Sequence, residues 1–293
     1  MNNKHRNIGG FLVAIGVVLF LTGWFMGARG VNIAWQDGRL QFVAAMESSD
    51  IPIHEFISDI QITSISANIE IIGHTGNETS VNLIGVSADF DINNNTLVIR
   101  ENNRMVFSII NIVSPIIRVN LPNNQIYRLD AQVSIGRITT SDLTLETANL
   151  RASTGGIRLN NIVSDTVNLH SSSGTIRLNE VILHDIFINN SSGGIRINNV
   201  AVNSVLNAVT SSGRITGERI QMASQSNMNV QASSGSVNIS LLNRDIVYNL
   251  YSRSGSQRVN GTRYNGISTI TDSNTPIVNI RTSSGSIRLN TAQ

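Results

Sequence analysis

Few side chains in this chain of 293 residues have the types that catalysis needs: 19 acids, 5 His and no Cys. Two placements stand out. Asp165 precedes His184 by 19 residues, and Asp185 precedes Ser204 by the same interval, which is the period at which the chain repeats. A carboxylate beside an imidazole or a hydroxyl is the material of general-base and nucleophilic catalysis. Neither pair brings a third group or an oxyanion donor, so both read as chance neighbours on a surface. From residue 134 onward only eight acids remain, too thinly spread to supply the paired carboxylates that sugar-cleaving β-helices place across a groove. Zinc-protease, Walker and calcium-nonapeptide motifs are absent, as are Cys/His metal spacings. The expectation is no enzyme, no metal and no cofactor.

The other recurring chemistry is cationic. Arg158, Arg177 and Arg196 follow one another at the repeat interval, and Arg258 and Arg288 hold the same place in later units, with Thr216 and Asn238 between. Like charges stacked ~4.8 Å apart repel by ~1 kcal/mol in water, and nothing in a strand requires Arg there. Two readings stay open. The stripe is a solvated face offset by acids such as Asp165, Glu180 and Asp185, or it binds a repeating anion, an anionic cell-wall polymer or lipid headgroups.

These residues are placed by a repeat. Gly136, Gly155, Gly174, Gly193, Gly213, Gly235, Gly255 and Gly285 recur in Ser-Gly or Gly-Gly settings at intervals of 19, 19, 19, 20, 22, 20 and 30. Two residues after each Gly stands Ile or Val, with Gln257 the exception, and four after it usually another aliphatic, the alternation of a half-buried strand. A third apolar column lies at seven after each Gly, from Leu143 to Leu242, and two more at seven and five before the next one. Five inward columns predict an all-β fold, a single-stranded parallel β-solenoid (β-helix) of 19–22-residue coils in which no coil is stable alone. Gly serves the turn, and the Ser or Thr before it bonds turn backbone. Asn160, Asn179, Asn198, Asn260 and Asn290, five after their glycines, predict an amide ladder at a second corner.

Before the repeat, residues 8–28 form an apolar run without a charge, long enough to cross a ~30 Å hydrocarbon core as one transmembrane helix. Lys4 and Arg6 precede it, so 1–7 is expected on the cytoplasmic side and everything after the helix outside, at the plasma membrane. A cleaved signal peptide is the rival reading, though this apolar run exceeds the usual 7–15 residues and Met26-Gly27-Ala28 is a poor cleavage site. Gly23 and Gly27 form a small-residue pair that could let two anchors pack closely, though such pairs arise easily by chance and a monomeric anchor is the preferred reading. Residues 29–58 read as a juxtamembrane linker with at most one short helix. The domain 59–293 divides into irregular first coils, 59–133, and regular repeats, 134–293. An extra loop is expected around Arg263 to Asn274.

The formal charge of +2 includes +3 from Lys4, Arg6 and Arg29, so the remainder is no footprint for nucleic acid. It is uneven: 31–133 carries 5 Arg against 11 acids, and 134–293 carries 13 Arg against 8.

The opening DIQITSISANIEII, the strand TLVIRENN, the run IIRVNLPNNQIYRLDAQVSIGRIT and the units SSGTIRL, SSGGIRI, SSGRITG and SSGSVNI resemble the bacterial DUF4097 family of adhesin-like proteins over 59–293. The resemblance implies an exported β-solenoid, often with an N-terminal membrane anchor, that is surface-exposed and in some cases accompanies envelope-stress regulation. It carries over no catalytic residue. The function expected is a non-catalytic adhesin-like binding and display module of the cell envelope. An envelope-stress accessory protein acting through membrane partners is the alternative, and a carbohydrate-active β-helix enzyme the remotest.

Overall fold

The computed structural model describes residues 16, 31–36, 39–44, 49–102, 107–110, 114–264 and 274–292. Apart from Gly16, which is helical, every regular element among them is a β-strand. No helix among the described residues is long and apolar enough to cross a membrane. The expected cytoplasmic segment 1–7 and spanning segment 8–28, Gly16 excepted, lie outside the described residues, as does 265–273 of the expected loop.

The described residues fall in two units. In the first, Val31–Gln36 and Arg39–Ala44 pair antiparallel, from Val31↔Ala44 to Gln36↔Arg39, and Phe107–Ile110 lies antiparallel on Val31–Gln36. Strands therefore stand where 29–58 was read as a linker, and Ser49–Ile53, in the second unit, adds another. The physical reason is local: VNIAWQ and RLQFVA are strand-forming runs, and Asp37-Gly38 between them is the strongest two-residue hairpin signal.

In the second unit the repeat becomes a stack of parallel coils. Ile138–Thr154, Ile157–Ser173, Ile176–Ser192 and Ile195–Ser212 run side by side with equivalent residues opposite one another, such as Ile157↔Ile176 and Ile176↔Ile195. Along one coil every second residue is buried, as a strand requires, except at the steps from Leu159 to Ile162 and from Ser164 to Val167. Each odd step turns the chain at a corner, giving three faces: in this coil 157–160, 162–164 and 166–173. At the first corner one residue per coil drops out of the pairing in left-handed conformation: Asp142 (φ 60), Asn161 (φ 50), Glu180 (φ 55), Asn199 (φ 53) and Arg219 (φ 55). Asn and Asp visit this region readily, and Glu180 and Arg219 do so under strain. The third corner is the glycine column.

The core holds seven inward columns per coil. The five expected are present, with Leu241 rather than Leu242 turned inward beneath Ile220. A sixth runs through Leu145, Ser164, Leu183, Val202 and Met222, and a seventh, small and polar, through Ala152, Ser171, Asn190, Thr210, Ala232 and Thr282, all buried.

Coil order in space departs from chain order at both ends. At the N-terminal end, Ile126–Ile135 pairs in parallel with Asp59–Ser64, which pairs with Thr96–Glu101, while Asn68–His74 lies between Ile138–Thr154 and Ile116–Pro122. Antiparallel strands Ala88–Asn93, Thr79–Ile84 and Ser49–Ile53 close that side. At the other end, the strands Ile277–Ser284 and Ile287–Asn290 are inserted between Asn227–Leu241 and Val247–Val259. The glycine column accordingly runs 213, 235, 285, 255.

Candidate functional site

Arg158, Arg177, Arg196 and Arg288 each point outward between two buried residues of the first face, as Arg158 does between Ile157 and Leu159, whereas Arg258 stands between the half-buried Gln257 and Val259. Parallel register places Arg158 opposite Arg177 and Arg177 opposite Arg196. Thr216 and Asn238 follow, then Arg288, and Arg258 comes last because the final coil is inserted. The ion pairs among the described residues lie elsewhere: Arg118–Glu70, Arg128 with Asp59 and Glu146, Arg151–Asp130 and His184–Asp185. Among the described residues no stripe arginine has a carboxylate partner, so Asp165, Glu180 and Asp185 do not pair with it. Burial, and then the charges of Arg137 and Arg177, lower the pKa of Arg158, which still carries its charge at neutral pH. The Arg177 Nε is buried without a hydrogen-bond partner. A column of guanidinium groups one strand apart, free of counter-charges, suits a linear partner with repeated phosphate or carboxylate groups.

The Asn residues at the next outward position are only partly joined. Asn198 Nδ2 donates to Asn179 Oδ1 at 2.7 Å, and Asn160 stands in register with Asn179. Asn260 instead turns into left-handed conformation, donating to Thr291 Oγ1 and accepting from Thr291 N, while Asn290 pairs with Ser240.

At the glycine column, the residue before each Gly is exposed, and its carbonyl rather than its hydroxyl joins the coils, as in Gly155 N donating to Ser173 O at 3.0 Å. Side-chain bonding falls to the seventh inward column. Ser171 Oγ donates to Gly155 O, Asn190 Nδ2 to Gly174 O, Thr210 Oγ1 to Gly193 O and Thr282 Oγ1 to Gly235 O. The signal was present in the sequence: three before each Gly from Gly155 onward no large apolar residue occurs, although the strand alternation points that position inward.

The two pairs singled out for catalysis resolve into one cluster without the required geometry. Asp185 lies 3.3 Å from His184 Nδ1 and accepts a hydrogen bond from the Ser204 hydroxyl. The carboxylate sits in the middle, so imidazole and hydroxyl do not meet, and Asp165 takes no part. Burial raises the Asp185 pKa, but the bonds from Ser204, His184 and Val205 N–H outweigh it and hold it below its ordinary value. Among the described residues no three His, Asp or Glu side chains converge as metal ligands.

Sequence reading missed Glu101, which closes the corner column where the coils end. Its Oε2 accepts from Ile65 N at 2.6 Å and Ser66 N at 2.8 Å and from the Ser64 hydroxyl, and its Oε1 from Ser66 Oγ at 2.6 Å. Burial pushes the carboxyl pKa up, and the hydrogen bonds from Ser64, Ser66 and Ala67 more than offset this, leaving it lowered. A lowered folded-state pKa stabilises fully above the unfolded value of ~4.3, and that gain is lost as pH falls through the folded value. Glu101→Gln is expected to cost about 1–3 kcal/mol at pH 7, because the amide gives up the charge that strengthens these bonds and offers one acceptor oxygen where the carboxylate offers two. Urea midpoints of the two proteins, measured from pH 7 down to pH ~3, should converge as the carboxyl protonates; a pH-independent gap would remove Glu101 from this role.

The Toastrack DUF4097 family model matches residues 57–290. Among solved structures, a candidate adhesin from Bacteroides fragilis is 14% identical, with 84% of this chain and 98% of that one covered and a TM-score of 0.53. A candidate lipid-binding protein from Parabacteroides distasonis is 15% identical, with coverage of 85% and 98% and a TM-score of 0.47. At these identities the first likeness shows the fold alone. None of the curated proteins matches the chain.

Proposed function

The chain belongs to the Toastrack DUF4097 family, and from that membership we propose that it is a non-catalytic, adhesin-like binding and display module of the bacterial cell envelope. In this reading residues 8–28 anchor it in the plasma membrane with 1–7 inside, and the β-solenoid stands outside and presents its first face to an anionic surface. The observation that carries the proposal is the column of Arg158, Arg177 and Arg196, in register on adjacent coils and without an ion-pair partner among the described residues. Unpaired like charges oppose stacking, so their gain lies in a partner rather than in the fold. The partner chemistry is a repeated phosphate or carboxylate, carried by a wall polymer or by lipid headgroups.

The test is cosedimentation of the full chain in mild detergent with purified cell walls, and capture of added anionic or neutral liposomes by the full chain held in neutral nanodiscs, across a salt series. Changing Arg158, Arg177 and Arg196 together to Gln is expected to weaken binding about 10- to 100-fold and to flatten its salt dependence. The melting temperature should stay equal or rise, since repulsion is relieved. Retention by walls alone identifies a wall polymer, and by anionic liposomes alone a lipid surface. Equal binding by both proteins would overturn the proposal.

A further inference from the structure

The third face, on a different side of the coil from the arginine column, carries its own pattern. Six residues before the corner glycines stands an outward Asn, at 149, 168, 207, 229, 249 and 279, with Asp130 and Phe187 the exceptions. Part of this column is a bonded ladder: Asn168 Nδ2 donates to Asn149 Oδ1 at 2.9 Å, Asn249 to Asn279 at 2.8 Å and Asn279 to Asn229 at 3.0 Å. The ladder breaks at Phe187, whose ring is 41% exposed, and Asn207 on the next coil has no side-chain partner among the described residues. Three hollows follow this face. The first holds Phe187, His170 and Asn207, the second shares Asn207 and adds Gln231 and Arg281, and the third shares Gln231 and Arg281 and ends at Tyr251, 58% exposed. Their shared linings join them into one trough from Arg151 to Tyr251, across seven coils and so ~29 Å long at the ~4.8 Å strand spacing.

We propose that this trough binds an extended, uncharged polysaccharide strand. Its lining contains no Asp or Glu, and its two arginines lie toward its ends, with Arg151 facing Asp130 at 3.9 Å. What it offers along its length is amide groups, each able to donate and accept, with one exposed aromatic ring, Phe187, on the third coil from the Arg151 end and another, Tyr251, at the far end. A sugar ring has the complementary surfaces: an apolar C–H face to lie on Phe187 or Tyr251, and hydroxyls that pair with amides. A peptide strand is a poorer occupant, because strand addition needs a sheet edge with free backbone groups, and here the backbone of each coil is already paired with its neighbours. A polyanion has its better partner on the first face. The inference goes beyond the proposed function in site and ligand, and does not depend on it.

The test is affinity electrophoresis of the full chain in detergent through gels containing a neutral glucan, mannan or galactan, with polygalacturonate and gelatin as charged and peptide polymers. At least one neutral polymer is expected to retard the protein, with Phe187→Ala weakening the interaction about tenfold, Tyr251→Ala weakening it as well, and Arg158, Arg177 and Arg196 changed to Gln leaving it unaltered. Short oligosaccharides of the retarding polymer should compete poorly, because the trough spans several sugar rings. Both rings are exposed, so the variants should melt with the parent. No retardation by any neutral polymer, retardation only by polygalacturonate or gelatin, or equal retardation of Phe187→Ala would overturn the proposal.

Discussion

Gly174→Ala is expected to destabilise the coil stack by on the order of 4 kcal/mol, in the range that only a few mechanisms reach. The backbone of Gly174 is not left-handed, so conformational preference is not the cause. The cause is overlap: a Cβ built there falls 1.8 Å from Gly155 O and 2.4 Å from Gly155 C. Both are backbone atoms, which no rotamer change can move aside. To make room the corners must separate by more than an ångström. That separation stretches the Gly155 N–H bond to Ser173 O, and moving the corner also disturbs Gly174 N–H with Ser192 O and the Asn190 amide on Gly174 O. The contrast is Gly194, one corner further along, where an added Cβ meets only Arg214 O at 3.4 Å. Gly194→Ala should change stability by less than ~1 kcal/mol. Chemical denaturation of both variants decides the matter. A Gly174→Ala protein that unfolds with the parent would mean the coils do not approach as closely as the glycine column requires.

The same column shows why so much of the fold was legible. A residue type dictated by a 1.8 Å approach recurs wherever the approach recurs, and repeated apolar positions mark the faces between. Legibility failed where one residue does a task that no repeat echoes. Glu101 is a single carboxylate outside the periodic region, and nothing in its local sequence points to the turn at 64–67. The seventh inward column was obscured because its members, Ser171, Asn190 and Thr210, have the polarity of surface residues, and only their bonds to glycine carbonyls justify their burial. Counting from glycine assumes a fixed coil length and so predicts Leu242 inward, whereas the shift between Gly217 and Ile220 in their pairing with the next coil turns Leu241 inward instead. The arginine stripe was visible as a spacing, but its lack of counter-charges depends on where distant acids fall in three dimensions. Coil order was invisible for a similar reason. Equivalent columns fit one another in any sequence of stacking, so periodicity names the partners a coil accepts without saying which of them it meets.

That last point has a measurable consequence at the C-terminal end. Deleting residues 265–293 removes Ile277–Asn290, the coil inserted between its predecessors. Were the stack built in chain order, the loss would be confined to one outer layer and Val247–Ser254 would keep its partner. Among the described residues Val247–Ser254 pairs only with Ile277–Ser284, and the parallel partner of Gln257–Val259 is Ile287–Asn290. Gln257 explains why this coil belongs outermost and cannot simply move inward. It stands where other coils have a buried Ile or Val, and with its amide oriented by its neighbours it donates to Leu250 O at 3.1 Å and accepts from Ser252 N at 3.0 Å. Its polar group is spent on backbone at the end of the stack, and placing this coil between Val237 and Ile287 would bury an amide within an apolar column. Deletion is therefore expected to release two coils: hydrogen exchange at 246–260 should rise to that of an unprotected segment, while 157–212 stays protected. A second truncation, after Leu241, should be about as stable as the first, within ~1 kcal/mol, because the abandoned coil contributes no packing of its own. Retained protection at 246–260 in the shorter deletion would show that the end coil docks directly on Asn227–Leu241, and would reverse the order of the last two levels.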